Sequence, residues 1–367
     1  MDLEVKRDDL HETRVVDSPP APLEAGEARL AVRRFGFSAN NVTYAVFGDL
    51  MGYWTFFPAA PDGDGWGRIP VWGFAEVVEA NGSGLDDGEL VYGYLPMGTE
   101  LVVMPTRVGD HGFTDASPHR AGLPSAYNGY TRCASDPVYD PATEPLQMLL
   151  RPLFMTDFVL DDWLADNGFF GAGDGTVVLS SASSKTAFGL AHLLSRRADR
   201  PEVVGLTSAG NVAFVEGLGV DGLGVYDRVV TYDDIASLSA DAPSVYVDMA
   251  GDAVVRRAVH EQLSGLAASV QVGGTHWEQV GGGGDLPGPA PSLFFAPDQI
   301  VKRRADWGPG GVESRFAEAW ADFLPVVQDW IEVVERRGPD AVADTYLEVL
   351  DGRADPAVAF VLAMDET

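Results

Sequence analysis

The sequence predicts an α/β protein of two domains: a β-rich first domain and a second one built on a doubly wound parallel sheet. Three observations carry this. Residues 177–197, VVLSSASSKTAFGLAHLLSRR, read without interruption as buried strand, small-residue turn and amphipathic helix. From there strands keep alternating with helices, the pattern of right-handed crossovers onto a parallel sheet. Residues 69–104 instead show short strands separated by closely spaced turn signals, with no helical period.

Composition narrows the function classes. A chain of 367 residues is long enough for two cores. A net charge of −30 excludes a nucleic-acid footprint and an anionic membrane surface as partners. The single cysteine, Cys133, excludes an internal disulfide and a cysteine-rich zinc lobe. No apolar run approaches the ~20 residues a bilayer demands, and the charged start MDLEVKRDDLHETRVV has no signal-peptide core, so the expected location is the cytoplasm.

Taken in order, Leu3 to Lys6 reads as a strand, followed by the turn-rich Asp17-Ser18-Pro19-Pro20. A second strand, Ala28 to Phe37, leads into Ser38-Ala39-Asn40-Asn41-Val42-Thr43-Tyr44 and a short helix. Asparagines at a strand end suit a pocket wall, and they equally suit plain turn chemistry. Strands follow at Val71 to Glu79, Glu89 to Tyr94 and Thr99 to Met104. Residues 105–148 hold prolines at 105, 118, 124, 137, 141 and 145 and read as a long irregular segment. Within it Tyr127, Asn128, Tyr130 and Arg132 either line a substrate pocket or cover a domain edge. A helix is expected over Leu149 to Asp166.

The second half alternates: strands at 177–179, 202–207, 228–231, 244–249 and 267–272, with helices after Lys185, near 211–218 and over 252–263. The remainder reads as a strand Ser292 to Ala296, a long helix Val312 to Arg337, a helix Asp340 to Leu350 and a last strand Ala357 to Ala363. That last strand must pair with a sheet, and the first domain is the nearest candidate.

The turn Ser180-Ser181-Ala182-Ser183-Ser184 aims backbone N–H groups and a positive helix end at one point, which suits a phosphate. The dinucleotide fingerprint wants three glycines, and Ser181, Ser184 and Ala187 stand there instead. An ordinary βα turn remains the plain alternative.

A β-rich first domain, a nucleotide-type α/β domain and a C-terminal helix and strand returning to the first together resemble the medium-chain dehydrogenase/reductase superfamily. The likeness covers nearly the whole chain. It is nearest to the zinc-independent quinone and enoyl reductases, in a divergent DUF2855-like branch. The resemblance implies a GroES-like β-rich catalytic domain over 1–148 and 338–367, and a Rossmann-type nucleotide-binding domain over 149–337. Ser180 to Ala187 corresponds to the family's pyrophosphate loop, which makes Ser181, Ser183, Ser184, Lys185 and Thr186 cofactor-binding candidates. Tyr246-Val247-Asp248-Met249-Ala250-Gly251 and Gln271-Val272-Gly273-Gly274-Thr275 resemble two further strand ends, the second adding Gly273 and Thr275. Ser38-Ala39-Asn40-Asn41 resembles the segment bordering nicotinamide and substrate.

Where zinc-dependent members carry Gly-His-Glu, this chain has Gly73-Phe74-Ala75-Glu76, and its six histidines are scattered. No catalytic zinc is expected. The second cofactor strand ends Leu206-Thr207-Ser208-Ala209 with no carboxylate for ribose hydroxyls. Thr207, Ser208 and Asn211 instead suit a 2′-phosphate, so NADP(H) is the expected cofactor.

Hydride chemistry leaves the protein to supply a proton donor and to orient the substrate. Tyr44 and Tyr53 are the candidate donors, since related enoyl reductases use a tyrosine soon after the Ser-x-Asn segment. Asn40, Asn41 and Thr43 are candidates to orient a carbonyl. Tyr127, Asn128 and Trp277 are candidate substrate contacts, and His276, after the last parallel strand, is a candidate acid or base. Lys302, Arg303 and Arg304 form the strongest basic cluster, for a phosphate or an interface carboxylate. The expectation is a homodimeric, zinc-independent, NADPH-dependent reductase of an activated C=C or quinone-like carbonyl in a small molecule. A non-redox lyase or isomerase on the same fold, and a non-catalytic binding protein, are the alternatives.

Overall fold

In the computed structural model, which describes residues 1–367 except 18, 21, 60–62, 199, 220, 221, 250, 273–284 and 367, the chain divides into two units. One is Met1–Pro152 with Ile331–Thr367, the other Leu153–Trp330.

The first unit starts as a hairpin, β1 (Asp2–Lys6) against β2 (Asp9–Val16). Sequence reading finds only the first strand, because β2, DLHETRVV, buries Leu10 and little else. β3 (Ala28–Phe37) buries both of its ends. Helix α1 (Ala39–Val46) follows at once, because Ser38 and Asn41 form a capping box. Then come β4 (Trp66–Gly67), β5 (Pro70–Ala80), β6 (Leu90–Pro96) and β7 (Glu100–Val103).

Residues 105–148 are not irregular as expected. They hold β8 (Pro105–Gly109), β9 (Gly112–Asp115) and β10 (Gly129–Arg132), which extend the sheet from β6. These strands are four or five residues long, too short for alternation to register against so many prolines. Helix α2 (Glu144–Asp166) starts five residues earlier than the expected Leu149 and runs through Pro152.

The second unit is a six-stranded parallel sheet. β11 (Thr176–Leu179) leads to α3 (Lys185–Ser195), β12 (Glu202–Thr207) to α4 (Val212–Leu218), then β13 (Arg228–Thr231), β14 (Ser244–Asp248), α5 (Ala253–Gln262) and β15 (Leu266–Gln271). The expected strand Ser292 to Ala296 is only β16 (Ser292–Leu293). Pro297, in the first turn, instead opens an unforeseen helix, α6 (Ala296–Trp307). Helix α7 (Gly311–Gln328) ends nine residues before the expected Arg337. The strand order is β13-β12-β11-β14-β15-β16. It reverses between β11 and β14, which makes the carboxyl ends of those strands the topological switch point where open sheets bind ligands. Val178, Leu206, Tyr246 and Val259 lie in the core packed on the sheet.

Beyond Trp330 the chain rejoins the first unit. β17 (Glu332–Arg337) is a strand because Ile331, Val333 and Val334 favour extended backbone, and it pairs in parallel with β18 (Val358–Ala363) after α8 (Pro339–Leu350). β18 in turn lies antiparallel to β3, so the C-terminal strand does close the first unit's sheet.

Candidate functional site

In the second unit the turn after β11 sits at the switch point. Ser181 takes a left-handed backbone, φ +49°, where a glycine would be unstrained. Ala182 fits beneath because Gly205 on β12 has no Cβ to meet it. Ser184 caps α3, its Oγ accepting the Ala187 N–H at 3.1 Å. Asn211 Nδ2 donates to Ser183 Oγ at 3.2 Å, so the turns after β11 and β12, singled out separately from sequence, meet. Ser208 is exposed beside them, while Lys185 and Thr186 are half-buried in the first turn of α3. Thr207 is corrected: its side chain is buried at 1% exposure, inside the sheet, because it faces the core side of the strand end.

Tyr232 was missed by sequence reading, while Asp248 lies in a strand end that the resemblance singled out. Tyr232, just after β13, accepts the Ser181 N–H at 3.0 Å on its hydroxyl. Its only signal is a place at the end of the next strand over. Asp248, ending β14, is buried and accepts from Ser180 Oγ at 3.1 Å and from the Gly251 N–H at 2.9 Å, with Arg256 Nη1 3.1 Å away. Burial raises its pKa against the pull of those donors. It ties the Ser180 end of the turn to the next strand end. Gly273, Thr275, His276 and Trp277 lie outside the described residues.

The basic cluster expected to meet a phosphate is already neutralised. Arg303 pairs with Asp162, Asp166 and Asp306, Lys302 with Asp166 and Asp306, and Arg304 with Glu313. Lys302 and Arg303 on α6 thus face the acidic side of α2 and their own helix, and Arg304 faces α7.

In the first unit α1 delivers its residues differently from one another. Asn41 is committed to the fold: its Oδ1 accepts the Ser38 N–H at 2.9 Å and its Nδ2 donates to Pro70 O at 3.0 Å. Thr43 Oγ1 turns back to Ala39 O. Tyr44, a turn after Asn40, enters an aromatic cluster with Tyr53, Phe56, Phe57 and Tyr94, with Tyr127 and Trp72 against it. Ring centroids lie 4.7 Å apart for Tyr44 and Tyr53 and 4.8 Å for Tyr94 and Tyr127. Tyr53 and Tyr127 share a hydrogen bond at 3.2 Å, and Trp72 Nε1 donates to Tyr44 Oη at 3.3 Å. Burial keeps the phenols of Tyr44, Tyr53, Tyr94 and Tyr127 un-ionised well into the alkaline range. Asn128 is buried and donates to Arg120 O rather than lining an opening.

Arg120 holds this assembly. Fully buried, it pairs with Asp115 at 3.1 Å and donates to Tyr130 Oη at 3.2 Å and Phe56 O at 3.3 Å. Tyr130 passes its own proton to Tyr94 O at 2.7 Å.

The family model described as "Protein of unknown function (DUF2855)" matches residues 35–355. The chain belongs to that family. No curated protein matches it by sequence. Among solved structures it is similar to CurA from Vibrio vulnificus in complex with NADPH, at 14% identity and TM-score 0.56, covering 97% of this chain and 94% of that one. It is similar also to the yhdH oxidoreductase from Salmonella enterica in complex with NADP, at 15% identity and TM-score 0.52, covering 98% of each chain. A third is the Haloferax mediterranei glucose dehydrogenase in complex with NADP, zinc and gluconolactone, at 12% identity and TM-score 0.53, covering 98% of each chain. At these identities what is shared is the fold: a GroES-like β-rich part and a Rossmann-type parallel sheet.

In this DUF2855 chain Phe74 stands where a zinc-ligating imidazole was sought, and it is buried against Tyr92 with centroids 5.3 Å apart. Among the described residues no three His, Cys, Asp or Glu side chains gather to hold a metal ion, and no helix is long and apolar enough to cross a membrane.

Proposed function

We propose that this protein is an NADP(H)-dependent oxidoreductase that reduces an activated C=C or quinone-like carbonyl of a small molecule without zinc. The observation that carries the reading is the meeting of the Ser180–Ser184 turn with Asn211, through Ser183, while the end of β12, Leu206-Thr207-Ser208-Ala209, has no carboxylate. The NADPH and NADP complexes of the fold neighbours support it.

The residues fit such a dinucleotide. The positive end of α3, capped by Ser184 at the Ala187 N–H, would face a pyrophosphate. Ser183, Ser208 and Asn211 offer hydroxyl and amide groups to a 2′-phosphate, and Lys185 offers charge. The bound nucleotide supplies hydride. This chain's own part is to hold a carbonyl and deliver a proton. Tyr44 and Tyr53 keep their protons at neutral pH and sit among apolar rings that exclude water, which suits proton delivery to a developing enolate. The buried Phe74 supports chemistry without a Gly-His-Glu zinc ligand. A cytoplasmic homodimer, with a catalytic domain over 1–148 and 338–367 and a nucleotide-binding domain over 149–337, completes the proposal.

One observation favours the non-redox alternative: Ser181, Ser184 and Ala187 put side chains where the dinucleotide fingerprint has glycines, which crowds the approach of a pyrophosphate. The deciding experiment follows NADPH oxidation by metal-depleted protein across enones and quinones. Turnover of one class supports the reading. NADPH binding without any oxidation, or no binding, leaves the lyase or isomerase reading in its place.

A further inference from the structure

Four phenols converge in the first unit, and they do not have equal surroundings. Tyr53 has as its hydrogen-bond partner only another phenol, Tyr127, at 3.2 Å, which eases its ionisation against burial and the neighbouring Tyr44. Tyr94 lies at 0% exposure under the other rings. Tyr44 differs: the Trp72 indole donates to its oxygen at 3.3 Å, and the Asn40 amide, one helical turn earlier, also favours its ionisation. The indole acts on an acceptor lone pair, which leaves the Tyr44 proton free to be given away and stabilises the phenolate left behind.

Trp72 is fixed for this task. It lies on β5 two residues before Phe74, half-buried, stacked on Tyr92 at 5.7 Å and tilted against Tyr94 at 5.0 Å. The capping box of Ser38 and Asn41 sets the first turn of α1 and thereby the position of Asn40 and Tyr44. The geometry points to Trp72 as a positioning residue that selects Tyr44, and not Tyr53, as the proton donor of this site. The inference rests on the reductase reading given above.

The step balances as follows. The activated alkene accepts hydride at its β-carbon from reduced nicotinamide, and its π electrons move onto the carbonyl oxygen. The Tyr44 O–H bond breaks, the enolate's C=C π pair takes its proton to form the new C–H bond at the α-carbon, and the oxygen's pair reforms the carbonyl. The phenolate is held by the Trp72 N–H and then reprotonated by water.

Two measurements test this on the full chain. In the first, Tyr44 is replaced by a ring-fluorinated tyrosine, whose phenol ionises nearer neutral pH, and its absorbance is titrated with and without Trp72→Phe. Loss of the indole donor is expected to raise that phenol's pKa by about one unit, a tenfold change in its ionisation constant. Asn40→Ala, at a half-exposed position, is expected to move it the same way and guards against misfolding of the Trp72 variant. In the second, steady-state NADPH oxidation with an enone is compared across variants. Tyr44→Phe is expected to lose most of kcat, more than Tyr53→Phe loses, and Trp72→Phe roughly tenfold in kcat with KM held within about twofold. An unmoved titration together with unchanged kcat in Trp72→Phe overturns the inference while leaving the reductase reading in place. No NADPH oxidation by the parent protein removes the reading itself, and the donor role with it, even where the titration shift is found.

Discussion

The hydroxyl of Tyr232 lies 3.0 Å from the backbone nitrogen of Ser181 and accepts its proton. This one bond braces a turn whose second residue, Ser181, is held left-handed at φ +49°. Because the phenol accepts there, its own proton points elsewhere and is available to a phosphate oxygen. Tyr232→Phe is therefore expected to weaken NADPH binding roughly 3- to 10-fold, the worth of one net hydrogen bond. Isothermal titration checks it, and tighter binding in the variant would mean that Tyr232 blocks the turn.

Strain at Ser181 has its own consequence. A non-glycine residue in the left-handed region costs on the order of 1 kcal/mol or more, offset in part by the greater freedom glycine gives the unfolded chain. Ser181→Gly is expected to leave stability equal or raise it by up to about 1 kcal/mol. A clear drop in thermal midpoint would show that the serine hydroxyl, 3.5 Å from Tyr232 Oη, matters more than the backbone.

Asp157 on α2 is fully buried, faces Gly189 of α3, and has no hydrogen-bond partner among the described residues. Burial raises its pKa well above the ordinary carboxyl range. The sign follows from linkage: the unfolded chain releases this proton near pH ~3.9, the folded chain only at much higher pH, so stability is lost as pH rises between them. In Asp157→Asn that loss is removed. The midpoint difference between variant and parent is expected to widen in the variant's favour from about pH 4 to about pH 8. A constant difference across that range sinks the assignment.

Arg120 and Asp115 form a fully buried ion pair beneath the aromatic cluster. Removing one partner strands the other charge, so Arg120→Ala is expected to cost about 3–5 kcal/mol in denaturant unfolding. The double variant with Asp115→Ala should cost less than the sum of the single changes. Additive costs would show that the pair is not coupled.

Much of the second unit was legible because its strands are short apolar runs and its helices carry long periodic stripes, as in β11 and α3. The returning C-terminal strand was legible because Ala357 to Ala363 had no other place to be buried. What was lost had little pattern to show. β8, β9 and β10 are too short, and in β17 the two valines of the charged EVVERR run are too few to signal the strand that pairs with β18. Of the site, Ser183 and Asn211 were found by position and meet in space, and Tyr44, Tyr53 and Tyr127 share one cluster. Tyr232, Arg120 and Trp72 were not found. Each acts through a contact distant in sequence, which no local signal encodes. Thr207 was misplaced for a related reason, since strand-end composition does not tell which face a side chain takes.

The central claim is that the serine turn holds a 2′-phosphorylated dinucleotide. The most direct test is a parallel titration of the purified protein with NADPH and NADH, following nucleotide fluorescence and the thermal midpoint together. Micromolar NADPH binding that raises the midpoint by mass action, with NADH weaker, is the expected result. Binding of neither nucleotide, or tighter binding of NADH, would contradict it.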